Sequence, residues 1–275
     1  MSETTTGFLP MAQRPGRMAG PWRTLRSIGA LMMREMTTTY GRSVGGYVWA
    51  LLEPIGSIAI LTVVITSGLG LRQPALGISF TLFYATGVLV FTLYVRTQQR
   101  IAGSITYSRA LLRYPSVRFF DAIVARFTLN VVTQMIVMVI VFAGILAIFE
   151  TRAILEVRWM LLAVAMGGAL ALGVGMINAL LMPLFPVYAS VFGILTTPLF
   201  FVSGIFYTYE SLPAFAQDYI WYNPLIHVTA MMRRGFYGQY AAEFASPAYV
   251  FTLSLVLMVI GYVLLNRFHR LIVGE

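Results

Sequence analysis

Long apolar runs recur along the chain, and short stretches rich in arginine and tyrosine separate them. A membrane-spanning helix needs about 20 predominantly apolar residues. Six segments meet this requirement, which predicts an all-α membrane protein with six transmembrane helices. No internal repeat relates the two halves, so we expect a single transmembrane domain over residues 22–275. The predicted spans cover residues 48–69, 78–95, 123–149, 159–181, 184–206 and 248–266.

Two polar segments precede the first predicted span. Residues 1–21 lack the apolar core of a secretory signal, and we interpret them as a flexible cytoplasmic tail. Residues 22–40 are too polar to span, but a helical projection gathers their apolar side chains on one arc, with arginines beside it. This pattern predicts an amphipathic helix in the cytoplasmic interface, and a soluble helix packed on a partner is the alternative. The candidate residues of the interfacial helix are Trp22, Arg23, Arg26 and Arg34.

Arginine placement predicts how the spans are oriented. Six arginines precede the first span, six lie between the second and third, and two follow the sixth. With both termini in the cytoplasm, fourteen arginines lie inside against five outside, as the positive-inside rule requires. The predicted loop around Met182-Pro183 carries no charge, so it adds nothing to this assignment.

Composition supports a membrane location and excludes several kinds of site. Hydrophobic residues make up 59% of the chain and charged residues only 11%, against about 25% in globular proteins. In a membrane protein, the formal charge of +9 indicates the orientation of the spans and contact with anionic lipid rather than binding to nucleic acid. Because the chain has no lysine, it lacks the lysine of the nucleotide-binding loop, and another chain would have to bind any ATP. With no cysteine and two distant histidines, we expect no metal site.

The longest cytoplasmic connection, residues 96–126, is basic and compatible with a helix. Tyr114-Pro115 constrains the backbone and would end a helix there, so we expect a short cytoplasmic helix at about 99–113. One interpretation is that its arginines only fix the topology. The length of the connection instead favours a helix that docks on a cytoplasmic ATPase.

The external connection, residues 207–247, carries six of the fifteen tyrosines. Its apolar middle, IWYNPLIHVTAMM, is too short to span, so we expect a re-entrant or interfacial helical segment. Asn223-Pro224 predicts a turn followed by a helix start. The aromatic residues fit an aromatic belt at the membrane interface, or rings that stack on sugars at the exit of a translocation path.

Residues 40–54, YGRSVGGYVWALLEP, place a carboxylate and a proline just inside the first predicted span. Gly45-Gly46 marks a break before the span, and Trp49 fits an interface anchor. A carboxylate costs about 2.5–3.5 kcal/mol at mid-membrane and less near the edge. We therefore expect Glu53 either to pair with a nearby arginine or to line a polar conduit.

The same stretch resembles the start of the first span in ABC-2 class exporter permeases, where a pattern like Y-x-x-S-x-L-G-Y-x-W-x-x-x-x-P recurs. LLRYPSVRFFDAIVAR looks like that family's coupling region, and SGIFYTYESLP followed by NPL is similar to the region before its last span. The resemblance covers most of residues 30–268 and is greatest to the permeases that export capsular polysaccharide in Gram-negative bacteria. The matching positions are Tyr40, Ser43, Gly46, Tyr47, Trp49, Glu53 and Pro54, whereas Val44-Gly45 departs from the pattern.

The resemblance implies a non-enzymatic membrane subunit that binds no cofactor itself. It implies a homodimer in the bacterial inner membrane, paired with two copies of a separate ATPase that binds ATP and Mg²⁺. Lipid-linked capsular polysaccharide would pass at the dimer interface to a periplasmic and outer-membrane partner. The candidate ATPase-coupling residues are Arg100, Ser104, Tyr107, Arg109, Arg113 and Tyr114. The candidate substrate-path residues are Tyr40, Tyr47, Trp49, Glu53, Tyr207, Tyr209, Trp221 and Tyr222.

Three alternatives compete with capsule export. The same machinery could carry O-antigen, teichoic acid, a small molecule or a lipid. An intramembrane enzyme needs a nucleophile, base or metal set, but H-E-x-x-H is absent and Ser203-Gly204 lacks the G-x-S arrangement. An ion-coupled carrier usually places several acids or discontinuous helices at mid-membrane. Here Glu53 is the one clear candidate, because Asp121 falls at the cytoplasmic edge of the third span.

Overall fold

The computed structural model describes residues 28–33, 35–36, 46–68, 73–112 and 118–274, and within these ranges the regular structure is entirely helical. Residues 28–33 and 35–36 form a short N-terminal helical segment. A π-helical turn, Val64–Gly68, extends α1, and a 3₁₀ turn, Tyr209–Ser211, precedes α7. The α-helices that follow the N-terminal segment are α1 (Gly46–Val63), α2 (Phe80–Ala102), α3 (Ser104–Leu112), α4 (Phe119–Ile148), α5 (Val157–Leu184), α6 (Pro186–Val202), α7 (Ala214–Ile220), α8 (Pro224–Arg234) and α9 (Pro247–Val273).

These helices confirm the predicted all-helical membrane fold. Among the described residues, five helices are long and apolar enough to cross a membrane, namely α1 with its π turn, α2, α4, α5 and α9. The predicted span at 184–206 contains α6, which has 17 residues. At 1.5 Å per residue α6 is about 25 Å long, at the lower limit for a crossing. Six crossings therefore remain a prediction, which α6 would complete.

The connection between α5 and α6 is shorter than the predicted loop around Met182-Pro183. Helix α5 continues through Pro183 to Leu184, and Phe185 alone separates it from α6. Pro186 occupies the first turn of α6, where a missing backbone N–H breaks no intrahelical hydrogen bond. The expected loop is thus replaced by a corner of one residue.

The predicted cytoplasmic helix at about 99–113 is wrong in its bounds. Helix α2 ends at Ala102, Gly103 breaks the helix, and α3 begins at Ser104. Ile101 is fully buried, so the apolar face of α2 continues beyond the arginines from which the end of the span was predicted. Among the described residues of this connection, α3 with its nine residues is the separate helix that follows α2.

Helix α2 lies at the centre of the bundle, where it packs against α1, α4, α5 and α8. Helix α5 also packs along α9, and glycines bring these two helices together. A Cβ atom added to Gly261 would lie 2.7 Å from the Cβ of Met176, and one added to Gly173 would lie 2.9 Å from the carbonyl oxygen of Ser254. Small residues permit such close approach between membrane helices.

The external segment folds back onto the bundle through α8. Nine of the eleven residues of α8 are buried, and the helix packs against α2 and α5. The Asn223 side chain accepts a hydrogen bond from the Leu225 N–H at 3.1 Å, and Pro224 fills the first helical position. This geometry confirms the helix start predicted from Asn223-Pro224.

Candidate translocation site

A cavity of about 750 Å³ lies between α1, α2 and α4, and we call it the α1–α2 cavity. Its wall mixes charged, amide and hydroxyl side chains with aromatic rings. Polar groups among spanning helices are costly unless they are paired or face water or a polar ligand. The side chains that define the wall are Trp49, Glu53, Ser57, Phe91, Thr92, Arg96, Gln99, Arg100, Asn130, Gln134 and Phe200.

The structure confirms that Glu53 pairs with a nearby arginine, and its role in a conduit stays a prediction. Its Oε2 lies 2.5 Å from the Arg96 Nη2, so the carboxylate of α1 is paired with an arginine of α2. Glu53 and Arg96 also line the cavity, and Arg100 lies on the same wall. The wall therefore carries one more positive than negative charge, which suits a polar or anionic ligand better than a cationic one.

A second cavity of about 600 Å³ lies between α2 and α6, and we call it the α2–α6 cavity. Phe91, Gln99 and Phe200 line both cavities, so the two share one wall along α2. Thr196 and Thr197 add hydroxyl groups from α6. Aromatic, amide and hydroxyl side chains thus alternate along a surface that runs past both cavities.

Buried hydrogen bonds position the amides behind this wall. Asn178 is fully buried, and its Nδ2 donates to the Gln98 Oε1 at 3.0 Å. The Tyr188 hydroxyl donates to the Asn178 Oδ1 at 2.6 Å. On the other side of α2, the Asn130 Nδ2 donates to the Thr97 Oγ1 at 2.7 Å. These bonds satisfy polar groups that would otherwise be costly to bury.

The two helices that flank the cavities, α1 and α6, expose apolar faces. No residue of α6 is buried in the single chain. The cavities therefore open between two apolar helix faces instead of being enclosed by one chain. The large exposed side chains are Val48, Trp49, Leu52, Ile55, Ile60 and Val63 on α1, and Val187, Val191, Ile194, Leu195, Phe201 and Val202 on α6.

Arg126 of α4 connects three other elements near the end of α2. Its Nη2 lies 3.0 Å from the Oε1 of Glu35 in the N-terminal helical segment, and both side chains are more than nine-tenths buried. Its Nη1 donates to the Arg100 carbonyl oxygen at 3.0 Å. The guanidinium carbon also lies 4.2 Å from the centre of the Tyr107 ring on α3. One side chain thus joins the N-terminal segment, the end of α2 and α3.

Helix α3 is anchored to the bundle by its apolar side. Ile105 is fully buried in a small core with Ile123 of α4, Leu180 of α5 and Leu265 of α9. Ser104 is also buried, whereas Tyr107 and Arg109 are exposed. Because its inner face is closely packed on the spans, a force applied to the exposed face of α3 would be transmitted to them.

Comparison with known proteins identifies the family of a chain with this bundle and these cavities. Residues 26–237 match the ABC-2 type transporter family, which is well over half of the chain. The chain belongs to the ABC-2 type transporter family. This ABC-2 chain is therefore a multi-pass membrane subunit, and the resemblance found in its sequence is confirmed.

Three relatives of the ABC-2 chain have names that describe polysaccharide transport. The capsule polysaccharide export inner-membrane protein CtrC of Neisseria meningitidis serogroup B is 28% identical over 253 residues, covering 90% of this chain and 95% of CtrC. The capsule polysaccharide export inner-membrane protein BexB of Haemophilus influenzae is 29% identical over 245 residues, covering 89% and 92%. The polysialic acid transport protein KpsM of Escherichia coli is 31% identical over 245 residues, covering 86% and 92%.

The structure of the ABC-2 chain divides the candidate path residues between two places. Trp49 and Glu53 lie on the wall of the α1–α2 cavity, together with Arg100, which was a candidate coupling residue. The four candidates from the external segment line neither the α1–α2 nor the α2–α6 cavity. These four residues are Tyr207, Tyr209, Trp221 and Tyr222.

The external aromatic residues pack largely on one another. The Tyr209 and Phe244 rings stack with their centres 4.0 Å apart, and the Trp221 Nε1 donates to the Phe244 carbonyl oxygen at 3.3 Å. Tyr207 is half-buried, whereas Tyr222 is exposed. Tyr209 also lines an outer cavity of about 640 Å³. The role of these residues at a path exit stays a prediction.

Of the remaining candidate residues, Tyr47 lies in the first turn of α1. Trp22, Arg23, Arg26, Arg34, Tyr40, Arg113 and Tyr114 lie outside the described residues.

Sequence reasoning missed two features of the site. The first is the Arg126–Glu35 pair, whose partners are 91 residues apart, so no local pattern could reveal it. The second is the shared wall of Phe91, Gln99 and Phe200. Gln99 lies near the end of an apolar run, so the sequence marks it as a polar position. That Phe200 of α6 lines the same cavities follows only from the packing of the helices.

Proposed function

We propose that this chain is the membrane subunit of an ATP-driven exporter that carries capsular polysaccharide across the bacterial inner membrane to the periplasm. The observation that carries the proposal is the polar and aromatic wall shared by the α1–α2 and α2–α6 cavities. The names of the relatives support the choice of cargo, since they refer to capsule polysaccharide export and polysialic acid transport.

The composition of the shared wall fits a sugar polymer in motion. Hydroxyl and amide side chains exchange hydrogen bonds with sugars at little net cost, and aromatic rings cover their apolar faces. A polymer that slides needs many weak contacts and no strong trap. The Glu53–Arg96 pair serves this purpose, because the carboxylate neutralises one of the two arginines that would otherwise hold an anionic polymer.

A homodimer would close the path. The cavities open between the exposed faces of α1 and α6, so a second copy placed against these faces would enclose them from lipid. The resulting channel would lie at the dimer interface, and the lipid anchor of the polysaccharide would remain in the bilayer. The N-terminal helical segment would contact the ATPase and guide this anchor.

Energy would come from two copies of a separate ATPase that binds ATP and Mg²⁺. We place the ATPase contact on the exposed side of α3, including Tyr107 and Arg109. Closure of the ATPases would move α3 as a rigid body, and Arg126 would carry this displacement to the end of α2 and to the N-terminal segment.

The arginine distribution supports cytoplasmic N- and C-termini, with α3 on the cytoplasmic side. The outer surface of residues 207–247 would then face the periplasm, where a periplasmic or outer-membrane partner would receive the polymer. Nothing in this arrangement calls for nucleic acid.

The test replaces Gln99 with tryptophan, since Gln99 is exposed and lies on the wall of both cavities. We expect Gln99→Trp to lower capsule at the cell surface at least about ten-fold and to leave polymer inside the cell. Membrane insertion and co-purification of the ATPase should be unchanged. The measurement is surface and intracellular capsule in cells that rely on this permease.

Leu255→Trp is the matched control, because Leu255 of α9 is 61% exposed and lines neither cavity. It adds the same ring to a surface away from the path and should leave export normal. Normal capsule in Gln99→Trp cells would contradict the proposed path. Absence of any co-purifying ATPase from the unaltered protein would contradict the proposed function itself.

A further inference from the structure

An apolar groove of about 360 Å³ lies between α4, α5 and α8, apart from both proposed cargo cavities. We call it the methionine groove, because methionines from all three helices line it. All thirteen side chains that line it are apolar, and four of them are the methionines Met135, Met138, Met160 and Met232.

The groove lies at the level of the hydrocarbon layer and away from α3. Its side chains belong to the second half of α4 and the first turns of α5, which are both long enough to cross a membrane. Helix α3 instead packs against α4 near Ile123, in the first turns of α4. An apolar groove does not hold water, so its natural occupant in a bilayer is an acyl chain.

Two arginines, Arg158 and Arg234, lie at the end of the groove beside the start of α5. The guanidinium carbon of Arg234 lies 3.8 Å from the centre of the Trp159 ring, and that of Arg158 lies 4.9 Å from it. Glu156 accepts hydrogen bonds from the Arg158 Nη2 at 2.6 Å and from the Trp159 Nε1 at 3.0 Å. The indole between them is the side chain that membrane interfaces favour.

The charges at this end of the groove do not cancel. The Arg158 hydrogen bond holds the pKa of the Glu156 carboxyl below its ordinary value, so Glu156 is ionised and is paired with Arg158. Arg234 has no acidic group within 4.0 Å in the part of the chain that the structure describes. Arginine on a tryptophan face keeps its N–H groups free to bind a phosphate.

We propose that the methionine groove binds an anionic phospholipid of the bilayer. Its acyl chain lies among the methionines, and its phosphate is bound by Arg234 beside Arg158. The lipid belongs to the leaflet opposite α3. Its acyl chain contacts Met232 and Phe236, so it supports α8 against the bundle. This site is independent of the identity of the exported cargo.

The test compares two lipids with the same acyl chains. The delipidated full-length protein is titrated with dioleoyl phosphatidylglycerol or dioleoyl phosphatidylcholine, and binding is read by native mass spectrometry and by the melting temperature. We expect phosphatidylglycerol to bind more tightly and to raise the melting temperature. Arg234→Gln should weaken phosphatidylglycerol binding about five-fold, the effect of one arginine at a membrane surface.

Leu161→Trp fills the groove without altering the arginines and should abolish the preference for phosphatidylglycerol. The matched controls are Arg267→Gln and Val259→Trp, both on the exposed side of α9, and they should leave binding unchanged. Equal binding of both lipids, or equal losses in Arg234→Gln and Arg267→Gln, would overturn the proposal. If Leu161→Trp fails to fold, the comparison of Arg234→Gln with Arg267→Gln still tests the proposal.

Discussion

Single buried arginines hold distant parts of this chain together. Arg233 of α8 is almost fully buried, and it donates from Nη1 to the Tyr207 carbonyl oxygen at 2.7 Å and from Nη2 to the Ile205 carbonyl oxygen at 3.0 Å. Its guanidinium carbon lies 3.9 Å from the centre of the Phe83 ring of α2. Burial lowers the pKa of Arg233 to about 10, so the side chain remains a cation at neutral pH.

Replacing Arg233 should release the external segment from the bundle. Each hydrogen bond from a charged group contributes about 1.5–3 kcal/mol, so Arg233→Met should lower the free energy of unfolding by about 3 kcal/mol or more. Arg233→Lys should cost less, since it retains the charge and one donor group. The measurement is thermal unfolding in detergent, with Arg267→Met on exposed α9 as the control. Equal stability of Arg233→Met and the control would contradict this role.

At the scale of elements, α3 is a short helix that tertiary contacts hold in place. A nine-residue helix is too short to be stable alone in water. Its inner face packs through Ile105, and its Tyr107 ring lies under the guanidinium of Arg126. Arg126 in turn pairs with Glu35 of the N-terminal helical segment. Helix α3 and this segment therefore both contact Arg126, so displacement of either affects the other.

Arg126→Met should weaken this arrangement strongly. Breaking a buried pair by removing one partner costs about 3–5 kcal/mol, and Arg126→Met also removes the hydrogen bond to the Arg100 carbonyl oxygen and the contact with the Tyr107 ring. Arg158→Met breaks the exposed pair with Glu156 and should cost about 1 kcal/mol or less. Thermal unfolding in the same detergent compares the two variants. Similar melting temperatures would show that the buried pair does not hold these elements together.

At the scale of the whole molecule, the two cavities are not enclosed by one chain. The α1–α2 and α2–α6 cavities have a polar wall on α2 but lie between helices whose outer faces are apolar. Polysaccharide cannot move along a wall that faces lipid, because its hydroxyl groups would lose their hydrogen bonds to water. The proposed path would therefore need a second copy to shield it from lipid.

Cysteine cross-linking can locate the second copy, because the chain has no native cysteine. Ile194 of α6 is 71% exposed, and Val187 of the same helix is 76% exposed. We expect Ile194→Cys or Val187→Cys to give a covalent dimer with a short thiol-specific cross-linker in membranes. Val259→Cys on α9 should remain monomeric. Cross-linking of both α6 variants at or below the level of the α9 control would contradict a dimer through α6.

The sequence by itself determined the class of the protein and most of its helices. A continuous apolar run of the length of a bilayer forms a helix because its backbone groups must be hydrogen-bonded within the segment, and five of the six predicted spans coincide with helices long enough to cross among the described residues. Local chemistry was equally decisive at Asn223-Pro224, where the cap and the first helical turn need only adjacent residues. The family pattern in residues 40–54 was also readable, because it depends on spacing within one segment.

Only the tertiary structure decided which of these residues meet. Glu53 could pair or line a conduit on sequence alone, and the packing of α1 on α2 shows that it pairs with Arg96 on the wall of a cavity. The end of α2 lay beyond its prediction because Ile101 is buried by other helices, and the partners Glu35 and Arg126 are 91 residues apart. Hydropathy reports how each segment partitions into a membrane, whereas a site depends on distances between segments that only their packing sets.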